Sequence, residues 1–281
     1  MCQTTAAVRD GAITISRRIW PVVVVPGIMG SRLKQRTSDQ KIWDPDHLRF
    51  NIGLMMESPD DLARRFSPET TRGEPMTQPH YSSISDPAHI ARGWGGPAWD
   101  FYGRGIEDLQ RWLLSEGGLV YGFGYDWRED NAISGRKLLD FIYDRVRPSI
   151  RYKPIVVTHS NGGLVTRAAC RLTHSSGMTG QEMIGAVIHT FMPTYGSPEA
   201  YVKIKTGEPT VALRQIVGAN AQEIAVIASG VTVMFQLMPN QLYPSIRVDG
   251  ESGANWLTCD PRLERDSEPA GPYSLNDPYS I

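Results

Sequence analysis

The segment Thr158-His159-Ser160-Asn161-Gly162-Gly163 sets a serine between an apolar run, Ile155-Val156-Val157, and a stretch of helical character. A serine on a sharp strand-to-helix turn exposes its hydroxyl, with the positive end of the following helix behind it. The chemistry open to it is attack on an acyl carbon, if a base takes its proton and preorganised N–H groups hold the oxyanion. Gly162 is the small residue the turn needs two positions later, whereas Thr158 stands two positions earlier, where glycine is usual. An ordinary Ser-Asn-Gly-Gly turn is the competing reading. The strand before and the helix after favour a catalytic elbow.

A second segment, Pro26-Gly27-Ile28-Met29-Gly30-Ser31, follows a β-branched run, Val22 to Val25. An oxyanion hole draws one N–H from the residue after the serine and one from a loop after an earlier strand. Asn161 and Ile28 are the expected donors, and Gly27 and Gly30 permit close backbone approach. A strand-ending turn would look the same in isolation.

A base is harder to find. The six histidines are His47, His80, His89, His159, His174 and His189. His159 adjoins the serine and should point elsewhere. His174 falls just after the elbow helix, and His189 lies in an apolar strand, where a core role is expected. His47, His80 and His89 precede the serine, outside the usual Ser, Asp, His order, although order is not geometry. The acids Asp249, Asp260, Asp266 and Asp277 sit in a loop-rich tail. Cys2, Cys170 and Cys259 show no paired spacing, so no disulfide framework, metal site or cofactor is expected.

These groups need a scaffold. The run from Pro21 to Val25 reads as a buried parallel strand. Apolar spacing predicts a helix over 99–114 (Phe101, Ile106, Leu109, Trp112, Leu113) and a strand over 119–125. A second helix follows over 131–146, with Leu138, Leu139, Phe141 and Ile142 inward. A strand at 155–157, a helix over 162–172 and a strand over 184–191 complete alternating β and α elements. Residues 34–96 show only one short helical candidate, 59–66, and read as an insertion, an excursion or cap. Residues 211–238 read as mostly helical, with Leu213, Ile216, Val217, Ile224, Val226 and Ile227, and the chain after 239 as loop.

The chain has 281 residues, 41% hydrophobic and 21% charged, with a net charge of -1. That is enough for one α/β domain with a large insertion. Near-neutral charge offers no footprint for nucleic acid. The first apolar run, near residues 19–29, is broken by Pro21 and Pro26 and falls short of the about 20 apolar residues that span a bilayer. A soluble, cytoplasmic protein is the expectation.

The ordered set VVVVPGIMGSRL (22–33), YDWR (125–128), HSNGG (159–163), IGAVIHTFMPTYGS (184–197) and FQLMPNQLYP (235–244) resembles the lecithin:cholesterol acyltransferase-like α/β hydrolases over about residues 20–281. The resemblance implies an α/β-hydrolase core with a mostly parallel sheet at 1–33 and 97–198. It implies an insertion at 34–96 after the first core strand and a partial helical cap at 199–281. It also implies a serine esterase or O-acyltransferase acting on lipid esters of phospholipid type, with Ser160 as nucleophile and Ile28 and Asn161 as oxyanion donors. Asp126 and Arg128 would be structural, since carboxylate and guanidinium can pair bidentately near the site. The family's catalytic aspartate and histidine follow the cap, so they and the last strands are expected beyond residue 281. The alternative is a non-catalytic remnant or lipid-binding module of the same fold. The apolar cluster 50–56 is a candidate for contact with a membrane surface or an acyl chain, or for packing on the core.

Overall fold

The computed structural model describes residues 20–79, 81, 85–115, 117–149, 152–208, 218 and 220–240, with short pieces at 5–9, 12–16, 243, 245–246 and 252–253. His80, Cys2, Cys259, Asp249, Asp260, Asp266, Asp277, Leu213, Ile216 and Val217 lie outside the described residues.

Two short strands, β1 (Thr5–Arg9) and β2 (Ala12–Ser16), pair antiparallel. The central sheet begins with β3 (Trp20–Val25). Next come β4 (Leu33–Gln35), β5 (Lys41–Trp43), α1 (Leu48–Leu54), α2 (Pro59–Phe66), β6 (Gly73–Pro75) and α3 (Pro87–Ala91). The chain continues through α4 (Trp99–Leu114), β7 (Gly118–Gly122), α5 (Asn131–Phe141), β8 (Ile155–His159), α6 (Asn161–Arg171), α7 (Gly180–Met183) and β9 (Ala186–Thr190). Helices α8 (Pro198–Thr206), α9 (Ala221–Ala228) and α10 (Thr232–Gln236) follow, then the two-residue strands β10 (Ser245–Ile246) and β11 (Ser252–Gly253).

The central sheet has the order β7-β3-β8-β9 and is parallel throughout. From β3 the chain moves to one neighbour, β7, and from β8 it moves the opposite way, to β9. The carboxyl ends of β3 and β8 therefore flank a switch point, where α/β sheets open a crevice for ligands. The inner strands are valine-rich because both their faces are covered: Val22, Val23, Val25 and Val156 are buried. Edge strand β9 is mostly exposed. His189 is thus not a core histidine.

Strands β4, β5 and β6 form an antiparallel sheet of order β5-β4-β6, and residues of β4 and β5 join the main core. Leu33, Ile42, Trp43, Leu62 and Phe66 cluster with Val23, Tyr125 and Trp127. Strands of three residues are too short for alternation to reveal them. Helix α2 runs over the span read from sequence, with Ser58 as N-cap accepting from Asp61 N–H and Pro59 at its start.

In α4, Ile106 is buried, but Phe101 (68% exposed) and Trp112 (70% exposed) face outward. Its N-cap, Ala98, makes no side-chain cap; Asp46 caps from afar, accepting from Trp99 N–H (2.8 Å) and Asp100 N–H (3.0 Å). The helix expected over 131–146 is α-helical to Phe141 and continues as a π turn, Ile142–Val146. The apolar cluster in α1 divides. Phe50, Leu54 and Met55 pack on the core, while Leu48 (74% exposed), Ile52 and Met56 (84% exposed) form an outward stripe at four-residue spacing. Of the helix expected over 211–238, α9 and α10 are described; 211–217 and 219 are outside the described residues.

Candidate active site

Ser160 sits between β8 and α6 with φ 50° and ψ -125°. An L-residue there carries strain on the order of 1–3 kcal/mol, which surrounding structure must hold. Met29 (φ 58°) and Phe191 (φ 52°) are the other non-glycine residues with positive φ among the described residues. These three follow the carboxyl ends of β8, β3 and β9, and all three line one cavity.

Missing side chains make the turn possible. A Cβ on Gly162 would lie 2.5 Å from both Val25 O and Pro26 O, and one on Gly27 would lie 2.9 Å from Ser160 Cβ. The loop 26–31 and the elbow therefore touch through their backbones. Thr158 fits because its side chain is turned to β9, with Oγ1 2.9 Å from His189 Nδ1. Ser160 N–H donates to Thr190 O (2.9 Å), tying the elbow to the edge strand.

The loop is held by two residues of the YDWR segment, Tyr125 and Trp127, and by Tyr102 and Trp43. Tyr125 Oη donates to Pro26 O (3.0 Å), and Gly27 N–H donates to Tyr102 Oη (2.9 Å). Trp43 Nε1 donates to Met29 O (2.7 Å), and Trp127 Nε1 to Ser31 O (3.2 Å). On the elbow side, Asn161 Nδ2 donates to Tyr125 Oη (3.2 Å) and to Asn131 Oδ1 (3.0 Å). The backbone N–H groups of Ile28 and Asn161 make no hydrogen bond among the described residues. Asn161 opens α6, so its N–H has no acceptor within the helix.

Asp126 and Arg128 are both buried and pair through Nε to Oδ1 (2.8 Å) and Nη2 to Oδ2 (2.6 Å). Arg128 also donates to Arg65 O (2.8 Å) and Thr71 O (2.9 Å), so the pair fastens the insertion to the core. Neither side chain lines the cavity at Ser160.

No described side chain hydrogen-bonds Ser160 Oγ. The His159 ring turns to Tyr102, with Nδ1 2.9 Å from Oη. His189 is engaged by Thr158, and burial, then the Arg167 charge, holds its ring below the ordinary histidine value. His174 stacks on Tyr143 and lies 3.3 Å from Asp140. His89 stacks on Trp94, and His47 caps α1. Among the described residues no cluster of His, Cys, Asp and Glu could hold a metal.

The cavity measures about 450 Å³ and opens on Ser160. Its wall is largely apolar: Ile28, Trp127, Phe191, Ile224, Ile227 and Leu237 among others, from both the core and the helices after β9. Its polar members include Lys203 and Glu208, paired at 3.0 Å. A largely apolar hollow of this size with few polar groups suits a small ligand or an extended chain. Among the described residues, no helix is long and apolar enough to cross a membrane.

Parallel sheet, elbow and apposed loop define the α/β-hydrolase fold, and a solved structure agrees. A chain of the Tle4–Tli4 complex superposes with a TM-score of 0.67 at 22% identity, covering 83% of this chain and 60% of that one. Lecithin-cholesterol acyltransferase-like 4 of Arabidopsis thaliana is 26% identical over 163 residues, 52% of this chain and 29% of that protein. The chain spans less than two thirds of the length of either. No protein-family model matches it.

Proposed function

We propose that this chain carries the nucleophile, oxyanion hole and acyl pocket of a serine-dependent lipid ester hydrolase or O-acyltransferase. The observation that carries this reading is Ser160, held at φ 50° on the elbow and facing an apolar cavity. Ser160 Oγ attacks the ester carbonyl carbon and gives up its proton to a base that is not among the described side chains; the ester C–O bond then breaks, the alcohol leaves with a proton, and water or an acceptor alcohol takes the acyl group from the serine. The Ile28 and Asn161 N–H groups receive the oxyanion, and the positive end of α6 adds to the field. The acyl chain lies along Ile224, Ile227 and Leu237. The likeness to an acyltransferase-like relative supports a lipid ester as substrate. The exposed Leu48, Ile52 and Met56 give α1 a means of resting on a lipid surface.

The test is labelling with an alkyl fluorophosphonate, read by mass spectrometry, beside turnover of p-nitrophenyl acyl esters. Ser160 is the labelled residue, and Ser160→Ala abolishes both signals. Turnover that survives Ser160→Ala excludes this mechanism. A second reading, a lipid-binding module, draws on the absence of any described side chain hydrogen-bonded to Ser160 Oγ. It requires saturable binding of a fatty acyl chain with no labelling.

A further inference from the structure

Oxyanion donors must be fixed before charge develops, because reorganising them during reaction would spend the stabilisation they give. The Ile28 N–H belongs to a loop, and loops are the mobile parts of a fold. The structure shows what immobilises this one. Pro26 C=O and Gly27 N–H are the two ends of a single peptide unit, and each end meets a tyrosine hydroxyl. Tyr125 Oη donates to Pro26 O at 3.0 Å, and Tyr102 Oη accepts from Gly27 N–H at 2.9 Å.

Each hydroxyl has one hydrogen-bonding function left, and each spends it on a residue flanking Ser160. Tyr102 Oη, already an acceptor, still has its proton to give, and His159 Nδ1 lies 2.9 Å away. Tyr125 Oη, already a donor, accepts from Asn161 Nδ2 at 3.2 Å. The proton inventory closes: each phenol gives one hydrogen bond and receives one. With Tyr102 as donor, His159 is the tautomer protonated on Nε2. Both phenols stay neutral, because burial pushes each above the ordinary tyrosine value. The rings have room: a Cβ on Gly30 would lie 2.8 Å from Tyr102 Cε2.

We propose that Tyr102 and Tyr125 are positioning residues that clamp the Pro26–Gly27 peptide between His159 and Asn161, and so set the Ile28 N–H against Ser160. This rests on the acyl-transfer reading above. The two tyrosines touch no reacting atom. They join the residue before and the residue after the nucleophile to one peptide plane in the facing loop, and Ile28 N–H is the next amide along. The bonds run in opposite directions, so the peptide can neither flip nor slide without breaking both.

The experiment uses the full chain and three variants, Tyr102→Phe, His159→Leu and His159→Asn. Oxoester and matching thionoester substrates are compared, because sulfur accepts hydrogen bonds weakly and gains little from an oxyanion hole. In Tyr102→Phe, kcat for the oxoester falls about tenfold or more with KM within about twofold, a part of the loss expected when a donor is removed outright. The thionoester rate changes little, so the oxoester preference shrinks. Asparagine can present an acceptor where His159 Nδ1 stood, so His159→Asn keeps more of that preference than His159→Leu. These two variants keep the proposal testable even if Tyr102→Phe fails to fold.

Amide exchange at Gly27 is followed in parallel, and Tyr102→Phe releases that amide. An unchanged oxoester preference in Tyr102→Phe and His159→Leu overturns the clamp, as does an unchanged Gly27 amide. Wild-type protein that neither labels nor turns over ester, yet shows Gly27 released in Tyr102→Phe, keeps the clamp and discards the acyl-transfer reading.

Discussion

Arg128 Nε lies 2.8 Å from Asp126 Oδ1, and both side chains are cut off from solvent. The remaining N–H groups of the guanidinium end on the carbonyls of Arg65 and Thr71. One ion pair thus reads out the end of α2 and the turn beyond it. A buried pair is weak proof of stability in itself, because desolvation offsets attraction. Its removal by halves is another matter.

Arg128→Met leaves the Asp126 carboxylate with the backbone N–H of residue 128 (3.2 Å) but no cation, and two carbonyls without their donors. The expected loss is about 3–5 kcal/mol of unfolding free energy, the range for breaking one side of a buried pair. Urea denaturation measures it. Limited proteolysis adds a local readout: new cleavage should concentrate in residues 59–75 before the rest of the chain is cut.

Gly162→Ala directs a methyl at two backbone oxygens, each 2.5 Å away. Backbone cannot step aside cheaply, so the elbow and loop 26–31 must separate. Fluorophosphonate labelling of Ser160 should drop at least about 100-fold, the scale for losing one oxyanion donor. Normal labelling in this variant would contradict the close-packed elbow.

Ala200 and Ala228 line the cavity from α8 and α9. Ala228→Trp fills volume there from α9. Under the proposed function, kcat/KM for long-chain p-nitrophenyl esters falls about tenfold or more, while the acetate ester is nearly unaffected, since each excluded methylene forgoes about 0.8 kcal/mol of burial. A uniform loss across chain lengths would place the acyl chain elsewhere.

Asp44 carries a pH dependence. Burial pushes its carboxyl up, but hydrogen bonds and charge from Arg32 and Lys41 outweigh burial and hold it below the ordinary aspartate value. The folded state therefore binds this proton less tightly than the unfolded state. The stabilisation is complete above the unfolded value, about 3.9, and is lost as pH falls through the folded one. Neighbouring Asp46 moves the other way, raised mainly by burial, and its cost is relieved as pH falls. Asp44→Asn should flatten the slope of unfolding free energy against pH below about pH 4. An unaltered acid limb would remove Asp44 from the account.

Leu48→Asp with Met56→Asp tests the α1 stripe. Both side chains are exposed, so folding stability should stay within about 0.5 kcal/mol. Sedimentation with phosphatidylcholine vesicles should fall several-fold. Equal sedimentation of variant and parent would assign the lipid contact to another surface.

What the sequence determined by itself is whatever lies within one turn or one strand. Four consecutive valines, Val22 to Val25, declare a strand buried on both faces, and the alternation of such runs with helical spacing gives the parallel sheet. The helix Pro59–Phe66 follows from its local cap, Ser58, and Trp99–Leu114 from periodicity, its cap Asp46 being distant in the chain. Even there, periodicity did not say which apolar residues face inward: Phe101 and Trp112 repeat with Ile106 but face mostly water.

Tertiary structure decided what joins distant segments. Tyr102 lies 75 residues from Gly27, and Tyr125 lies 99 from Pro26. Nothing near either tyrosine announces a partner, because a phenol on a helix or after a strand satisfies many roles locally. The three-residue strands of the insertion carry too little pattern to be read alone and exist because they pack on Tyr125 and Trp127. The cavity has no local signature either, since its wall is assembled from the loop after β3, the elbow and three later helices. Short-range sterics and periodicity are written into neighbouring residues; the distances between Ser160 and the loop 26–31 are set only when the sheet brings β3 and β8 side by side.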